Sequence, residues 1–413
     1  MRIVSIVCAV WLVAASAYAQ PPVRVIGAGT GAPFKAPFFQ TGGTVRTLSA
    51  DTTYLLTGIY YVDSTALLVI RPGTIILGDS ATGGSLCIKR GGKIHAEGTP
   101  ALPIVLTSSR PPGERRPGQW GGIIILGSAP NNQGSNTTIE GGLHPSAVYG
   151  GTNEEDSSGV LRHVRIEFGG VPYLPDNEIN GLTMGSVGRR TVVEHVQVSF
   201  NNDDSFEWFG GTVNARYLVS WRALDDDFDS DFGWSGRVQF AYAKRDPLLF
   251  DPSAGSNSNG FESDNQGGSS GPWSNRPTTR GIFSNMTLIG PLADTAQYGS
   301  ISAKHDYAAL LRRRTSISIY NSLLAGYRHG ILIRNDSTQW QAAADSLQIR
   351  NVSLQAGRRV ILHDNPSPGF GGFDAKTWFE TPSFQNNGST GRQPADVGLA
   401  ATAFVLGPGN DPR

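Results

Sequence analysis

Apolar and polar positions alternate along most of this chain in short runs, with no long segment at helical spacing. Several runs share one layout. Leu68-Val69-Ile70-Arg71-Pro72-Gly73-Thr74-Ile75-Ile76-Leu77-Gly78 is echoed by Leu86-Cys87-Ile88-Lys89-Arg90-Gly91-Gly92-Lys93-Ile94-His95-Ala96. His163-Val164-Arg165-Ile166-Glu167-Phe168 is matched by His195-Val196-Gln197-Val198-Ser199-Phe200. Tyr217-Leu218-Val219-Ser220-Trp221 follows that last run by 22 residues, the spacing that also separates Asp203-Asp204 from Asp225-Asp226. Further strand-like runs are Asn285–Ile289, Tyr320–Leu324 and Arg350–Leu354.

A period in the low twenties, with Gly or Asn between the runs, predicts an all-β chain wound as a right-handed parallel β-helix. Coils stacked about 4.8 Å apart close each other's backbone hydrogen bonds, and inward Val, Ile, Leu and Phe form one continuous core. The Leu-x-x-Leu-x-Leu frame of leucine-rich repeats is absent, and helical solenoids lack their 3.6-residue signal. The expected organisation is a signal peptide over 1–19, an N-terminal cap over 20–50, the helix over 51–365, and a C-terminal cap and tail over 366–413. At about 22 residues per turn this gives roughly 13 coils and a rod roughly 60 Å long. Two stretches interrupt the pattern, 107–160 around Gly122–Leu126, and 252–280 with almost no strand signal.

Composition narrows the class. Met1-Arg2, the apolar run from Ile3 to Ala15, and Ala17-Tyr18-Ala19 form an export signal cleaved near Ala19. The chain is therefore expected to be secreted, whether periplasmic, extracellular or held at the cell surface. No later run is long and apolar enough to span a bilayer. Acidic and basic residues balance at 34 each, which argues against a nucleic-acid partner. The 52 Gly and 25 Pro suit short strands and tight turns. After cleavage Cys87 is the sole cysteine, so no internal disulfide forms, and its apolar neighbours predict a buried, inert thiol.

The runs Thr53–Leu56, Ile70–Thr74 and Ile94–Thr99 with Pro103–Val105, together with Trp120–Ile123 and Val164–Gly170, resemble a family of secreted bacterial β-helix proteins. The resemblance spans nearly the whole chain after residue 19. It implies the fold of the pectate-lyase-like superfamily, in which many members bind or cleave polysaccharides, but for this family it implies no defined activity.

The most unusual stretch is Asn201–Asp231, where Asp203, Asp204, Glu207, Asp225, Asp226, Asp227, Asp229 and Asp231 face only Arg216 and Arg222 as counter-charges. The 22-residue spacing sets Asp203 and Asp204 beside Asp225 and Asp226 in the next coil. Carboxylates stacked about 5 Å apart repel unless protons or a cation intervene, and hard oxygen donors suit Ca²⁺. The candidate metal ligands are therefore Asp203, Asp204, Asp225, Asp226, Asp227 and Asp229. A plain alternative is that Asp and Asn at solenoid corners bond the local backbone while solvent screens the rest. Aromatic residues interleave with the acids. If Trp208, Trp221 or Trp234 points outward, its ring offers a plate for a sugar; if inward, it is core.

Two chemistries compete. The resemblance implies lyases in which Ca²⁺ neutralises a uronate carboxylate and an Arg or Lys removes the neighbouring proton. The candidate bases are Lys244 and Arg245, whose plain reading is a surface pair at a turn; Lys304-His305 and Arg312-Arg313-Arg314 come next. A hydrolase reading pairs the Asn201–Asp204 acids with His329, but five or six coils, roughly 25 Å, separate them. Asn259–Asn265 is expected either to drape over the acidic face, adding Glu262 and Asp264 to a cation site and, beside Trp208 and Trp234, to substrate binding, or to be a disordered loop. The functional expectation is a secreted calcium-binding protein that binds or cleaves an acidic polysaccharide or cell-surface glycan. The alternative is a structural or adhesive surface rod that needs no base.

Overall fold

The computed structural model describes residues 21–173, 178–253, 255–364, 369–390 and 398–399. The expected signal peptide, 1–19, and the tail at 407–413 lie outside the described residues. The chain is a parallel β-helix with three faces. The first face starts with Val23–Gly27, Thr53–Thr57, Ile75–Gly78 and Ile104–Ser108 and ends with Asn387–Ser389. The second runs from Pro37–Gln40 through Ile59–Val62, Ser85–Ile88, Ile123–Leu126, Leu182–Gly185, Phe206–Phe209, Phe228–Asp231, Phe261–Ser263 and Tyr307–Leu311. The third carries Val45–Leu48, Leu67–Ile70 and Lys93–Glu97, then the leading halves of the long strands Gly159–Glu167, Val192–Ser199, Asn214–Trp221 and Arg237–Lys244. Among the described residues, twelve layers on the first face correspond to a rod about 50 Å long. That is shorter than the uniform 22-residue period implies, because several coils carry insertions.

Strands begin at Val23, so the segment 20–50, expected as a cap, already gives one strand to each face. At the other end Phe373, Ala375 and Phe379 join the core. Two short α-helices, Asp336–Ala343 and Ala375–Phe379, were not anticipated by the apolar pattern. The first shows why: its buried residues are Thr338, Gln339, Gln341 and Ala342, which leave no apolar stripe to read.

The third-to-first corner is the tightest. A single left-handed residue bends each long strand there, and the series is His163, His195, Tyr217, Phe240, Asn285, Asn321 and Asn351, all with φ between 49° and 60°. Asn suits that conformation because its short side chain bonds locally. The aromatic members stack instead, with centroids 4.4 Å apart for His163–His195, 4.5 Å for His195–Tyr217 and 5.3 Å for Tyr217–Phe240. Upright rings at coil spacing recover part of the backbone cost.

The other two corners take every long insertion. Between the first and second faces lie 109–122, 168–181, 245–260 and 290–306; between the second and third lie 127–158, 264–281 and 334–347. The second face is thus bordered on both sides by loops. Over its early coils the loops close completely: Ile59, Tyr61, Cys87, Ile124 and Leu126 point outward yet are buried under Ile139, Ala147, Tyr149, Val171 and Tyr173. Cys87 is fully buried and burial pushes its thiol up, so the inert reading of this residue agrees with the structure. Further along the same face the loops part.

Candidate functional site

Alternation on the second face decides what lines the opening. Phe206, Phe228 and Phe261 point inward with successive ring centres 5.6 Å apart, stacked for the first pair and tilted for the second, and Trp208 and Trp234 stack at 4.9 Å within the core. Glu207, Asp229 and Glu262, one residue along in each strand, occupy one outward row. Trp208 and Trp234 have no exposed surface, and Trp221 is buried too, so none of the three offers a plate to a sugar.

Just before these strands comes a column of corner residues, in which Asp204, Asp226 and Asn259 follow one another from coil to coil. The Asp226 N–H donates to Asp204 Oδ1 at 2.7 Å, the Asn259 N–H to Asp226 Oδ1 at 2.5 Å, and the Tyr307 N–H to Asn259 Oδ1 at 3.2 Å. One oxygen of each Asp therefore holds the next coil in register. The plain corner reading and the ligand reading are compatible, because a carboxylate has a second oxygen to offer.

Those oxygens meet others. Asp203, Asp204 and Asp225 form one group whose ligand atoms lie within 4.8 Å of one another; Asp204, Glu207 and Asp229 form a second, and Asp226, Asp229 and Glu262 a third. Asp204 and Asp229 belong to two groups each, so the sites interlock. The first two groups open on a cleft of about 630 Å³, and the third reaches it through Asp229; among the described residues its wall includes eight acids, Glu140, Glu178, Asp203, Asp204, Glu207, Asp225, Asp229 and Asp251, and no Lys or Arg. Burial, then like charge, holds Asp203, Asp204, Glu207, Asp225, Asp226 and Asp229 well above the usual carboxylate range. Glu140 is pushed up to about 7, mainly by burial, and Asn180 bridges it to Glu207 by donating to both carboxylates. Asp225 Oδ1 and Asp229 Oδ1 are out of solvent contact without a hydrogen-bond partner among the described residues. All-oxygen donors, left short of partners and crowded against like charges, fit a hard divalent cation.

Other expected site residues fall elsewhere. Asp227 points inward, where it accepts from Ser220 Oγ at 2.5 Å and lies 3.5 Å from Arg245 Nε, so it is not a ligand beside its neighbours. Arg245 has no exposed surface; it pairs with Asp227 and donates to the Asp225 carbonyl oxygen, holding the ladder from behind. Lys244 sits on the first face in register with Trp221 and Ile289, buried, and donates to the Gly290 carbonyl at 3.3 Å. Neither residue faces the cleft as a base. The segment near Asn259–Asn265 is no drape: Phe261–Ser263 is a regular strand of the second face, which is how Glu262 enters the ladder. Arg312 pairs with both Glu262 and Asp264, at 2.9 Å to the latter, and Arg313 also pairs with Asp264. Asp264 is thus neutralised from its own side and is not open to a substrate. His329 is four layers from Phe206 and pairs with Asp306 at 2.6 Å, too far from Asp204 to cooperate.

Glu140, Glu178 and Asp251 are the acids that sequence reasoning missed. They come from insertions, which carry no period that could assign them to a coil.

The architecture and the cleft define a class: a parallel β-helix with an acidic, loop-walled groove on one face. The chain belongs to the family described as the pectate-lyase-like β-helix domain, whose profile matches residues 41–393. No curated protein matches the chain. A solved structure similar to it, at 11% identity, is the catalytic domain of a GH87 alpha-1,3-glucanase in complex with tetrasaccharides; the match covers 86% of this chain and 68% of that one, with a TM-score of 0.28. Such a loose likeness carries no weight for individual site residues.

Proposed function

We propose that the acidic cleft binds calcium and, through it, an acidic polysaccharide, and that the protein does so outside the cytoplasm. The carrying observation is the set of three interlocking carboxylate groups, two of them opening wholly on a cleft whose described lining holds no basic side chain. Such a wall repels a uronate chain; with cations bound it attracts one, because each ion can share its remaining coordination with a sugar carboxylate or hydroxyl. Asp203, Asp204, Glu207, Asp225 and Asp229 would hold the ions, with Asp226 adding to the far group, where Glu262 is shared with Arg312. A cleft of this volume suits a few sugar rings.

Binding is favoured over cleavage. Lyase chemistry needs a base at the sugar ring, and Lys244 and Arg245 are both spent on interior contacts. The rod-like alternative draws support from the corner column, whose carboxylates already stitch coil to coil.

One pair of measurements separates the readings. Calcium titration followed by calorimetry should show saturable binding, and a polygalacturonate or alginate gel should retain the protein in calcium and release it in chelator. Calcium binding without retention on either gel would leave only the structural role. No calcium binding at all would remove both the ion and the bridged glycan. An unsaturated, ultraviolet-absorbing product would restore the lyase.

A further inference from the structure

A second pocket opens three coils beyond Asp229, where the second face meets the third. It encloses about 640 Å³ and is built from three sources: Arg314 just after the strand Tyr307–Leu311, Trp340 on the helix Asp336–Ala343, and Trp273 from the insertion at 264–281. Phe370 and Asp364 complete the wall. Its character is opposite to that of the acidic cleft. Trp340 is 45% exposed and Phe370 48%, among the few large apolar side chains this chain leaves open. Exposed aromatic rings gathered in one concavity signal a ligand more than a stray surface residue does.

The polar groups around the rings say which ligand. The Arg314 guanidinium lies 5.4 Å from the centre of the Trp340 ring, fixing that ring from one side. Arg314 Nε and Ser337 Oγ are both shielded from solvent and have no hydrogen-bond partner among the described residues. Asp364 is oriented by the Asn335 N–H at 3.0 Å and Gln339 Nε2 at 2.9 Å, which leaves acceptor capacity at the rim. A flat apolar ring with donors and acceptors at its edge matches a pyranose, whose C–H face stacks while its hydroxyls both donate and accept. Asp364, with Asp336 at the same wall, disfavours a uronate and favours an uncharged sugar.

We propose that this pocket is a second saccharide site, taking a neutral pyranose by stacking on Trp340, without any cation. The site is independent of the calcium ladder, so it is tested in chelator. Calorimetric titrations with cellohexaose, xylohexaose, maltohexaose and hexagalacturonate would be run on the full chain in EDTA. Saturable binding of at least one neutral hexasaccharide is expected, with Trp340→Ala weakening it by about tenfold or more and Trp340→Phe by less. Trp340 lies on the surface of a short helix, so its replacement should leave the melting temperature within a degree or two. Phe370→Ala supplies a second, independent lesion with the same expected direction. No binding of any hexasaccharide, equal binding by Trp340→Ala, or preference for hexagalacturonate would each overturn the proposal.

Discussion

The two oxygens of one carboxylate do different work at Asp204. Oδ1 accepts the Asp226 N–H across the coil gap, while the side chain also belongs to two candidate ligand groups. Asp204→Asn keeps the acceptor and removes the charge; it should weaken calcium binding while leaving the chelator-treated melting temperature unchanged or higher. Asp204→Ala also orphans the Asp226 amide, at a cost of about 1–3 kcal/mol in EDTA. Calorimetry and thermal melts on the two variants check the division of labour, which fails if they behave alike. Arg245 allows a similarly sharp test. Replacement by Met leaves Asp227 buried and unpaired, with an expected loss of about 3–5 kcal/mol in stability. A catalytic arginine would instead lose turnover at an unchanged melting temperature.

Strands and corners show what the sequence made legible and where it stopped. The 22-residue spacing was readable at Phe206/Phe228 and Glu207/Asp229 because no insertion separates those coils, and the register is the expected one. The next partner of Phe228 is Phe261 and the one after is Ala309, so chain distance no longer measures coil number. The burial of Trp208 was readable as well: it shares parity with inward Phe206, two residues away, and lies opposite to Glu207. Lys244 was misplaced as a candidate base because position along the chain says nothing about which of three faces a residue joins. At the third-to-first corner, Asn285 tests the cost of the bend. Asn285→Val forces a β-branched residue into the left-handed region, at about 1–2 kcal/mol and a drop of a few degrees in melting temperature; Asn285→Gly should be nearly silent.

For the molecule as a whole the ladder links acidity to stability. Burial raises the Glu140 carboxyl from its ordinary 4.5 to about 7, and the ladder acids move in the same direction. The folded protein therefore binds more protons than the unfolded chain in this window. That contribution is fully present below pH 4.5 and is lost as pH rises through about 7. In EDTA the melting temperature should fall between those limits, and calcium should raise it most at the alkaline end, where the carboxylates are ionised. A flat profile in chelator, or a calcium effect independent of pH, would contradict the ladder's role.

Because every long insertion leaves the rod at the two corners beside the second face, the groove walls and the ion-holding row are separable parts. The row is fixed by coil spacing and hardly able to drift, whereas the walls hang from positions where added length disturbs no neighbouring layer. A lineage of such rods could therefore exchange one polymer for another by rewriting loops alone, keeping the same mineral anchor beneath each new binding surface.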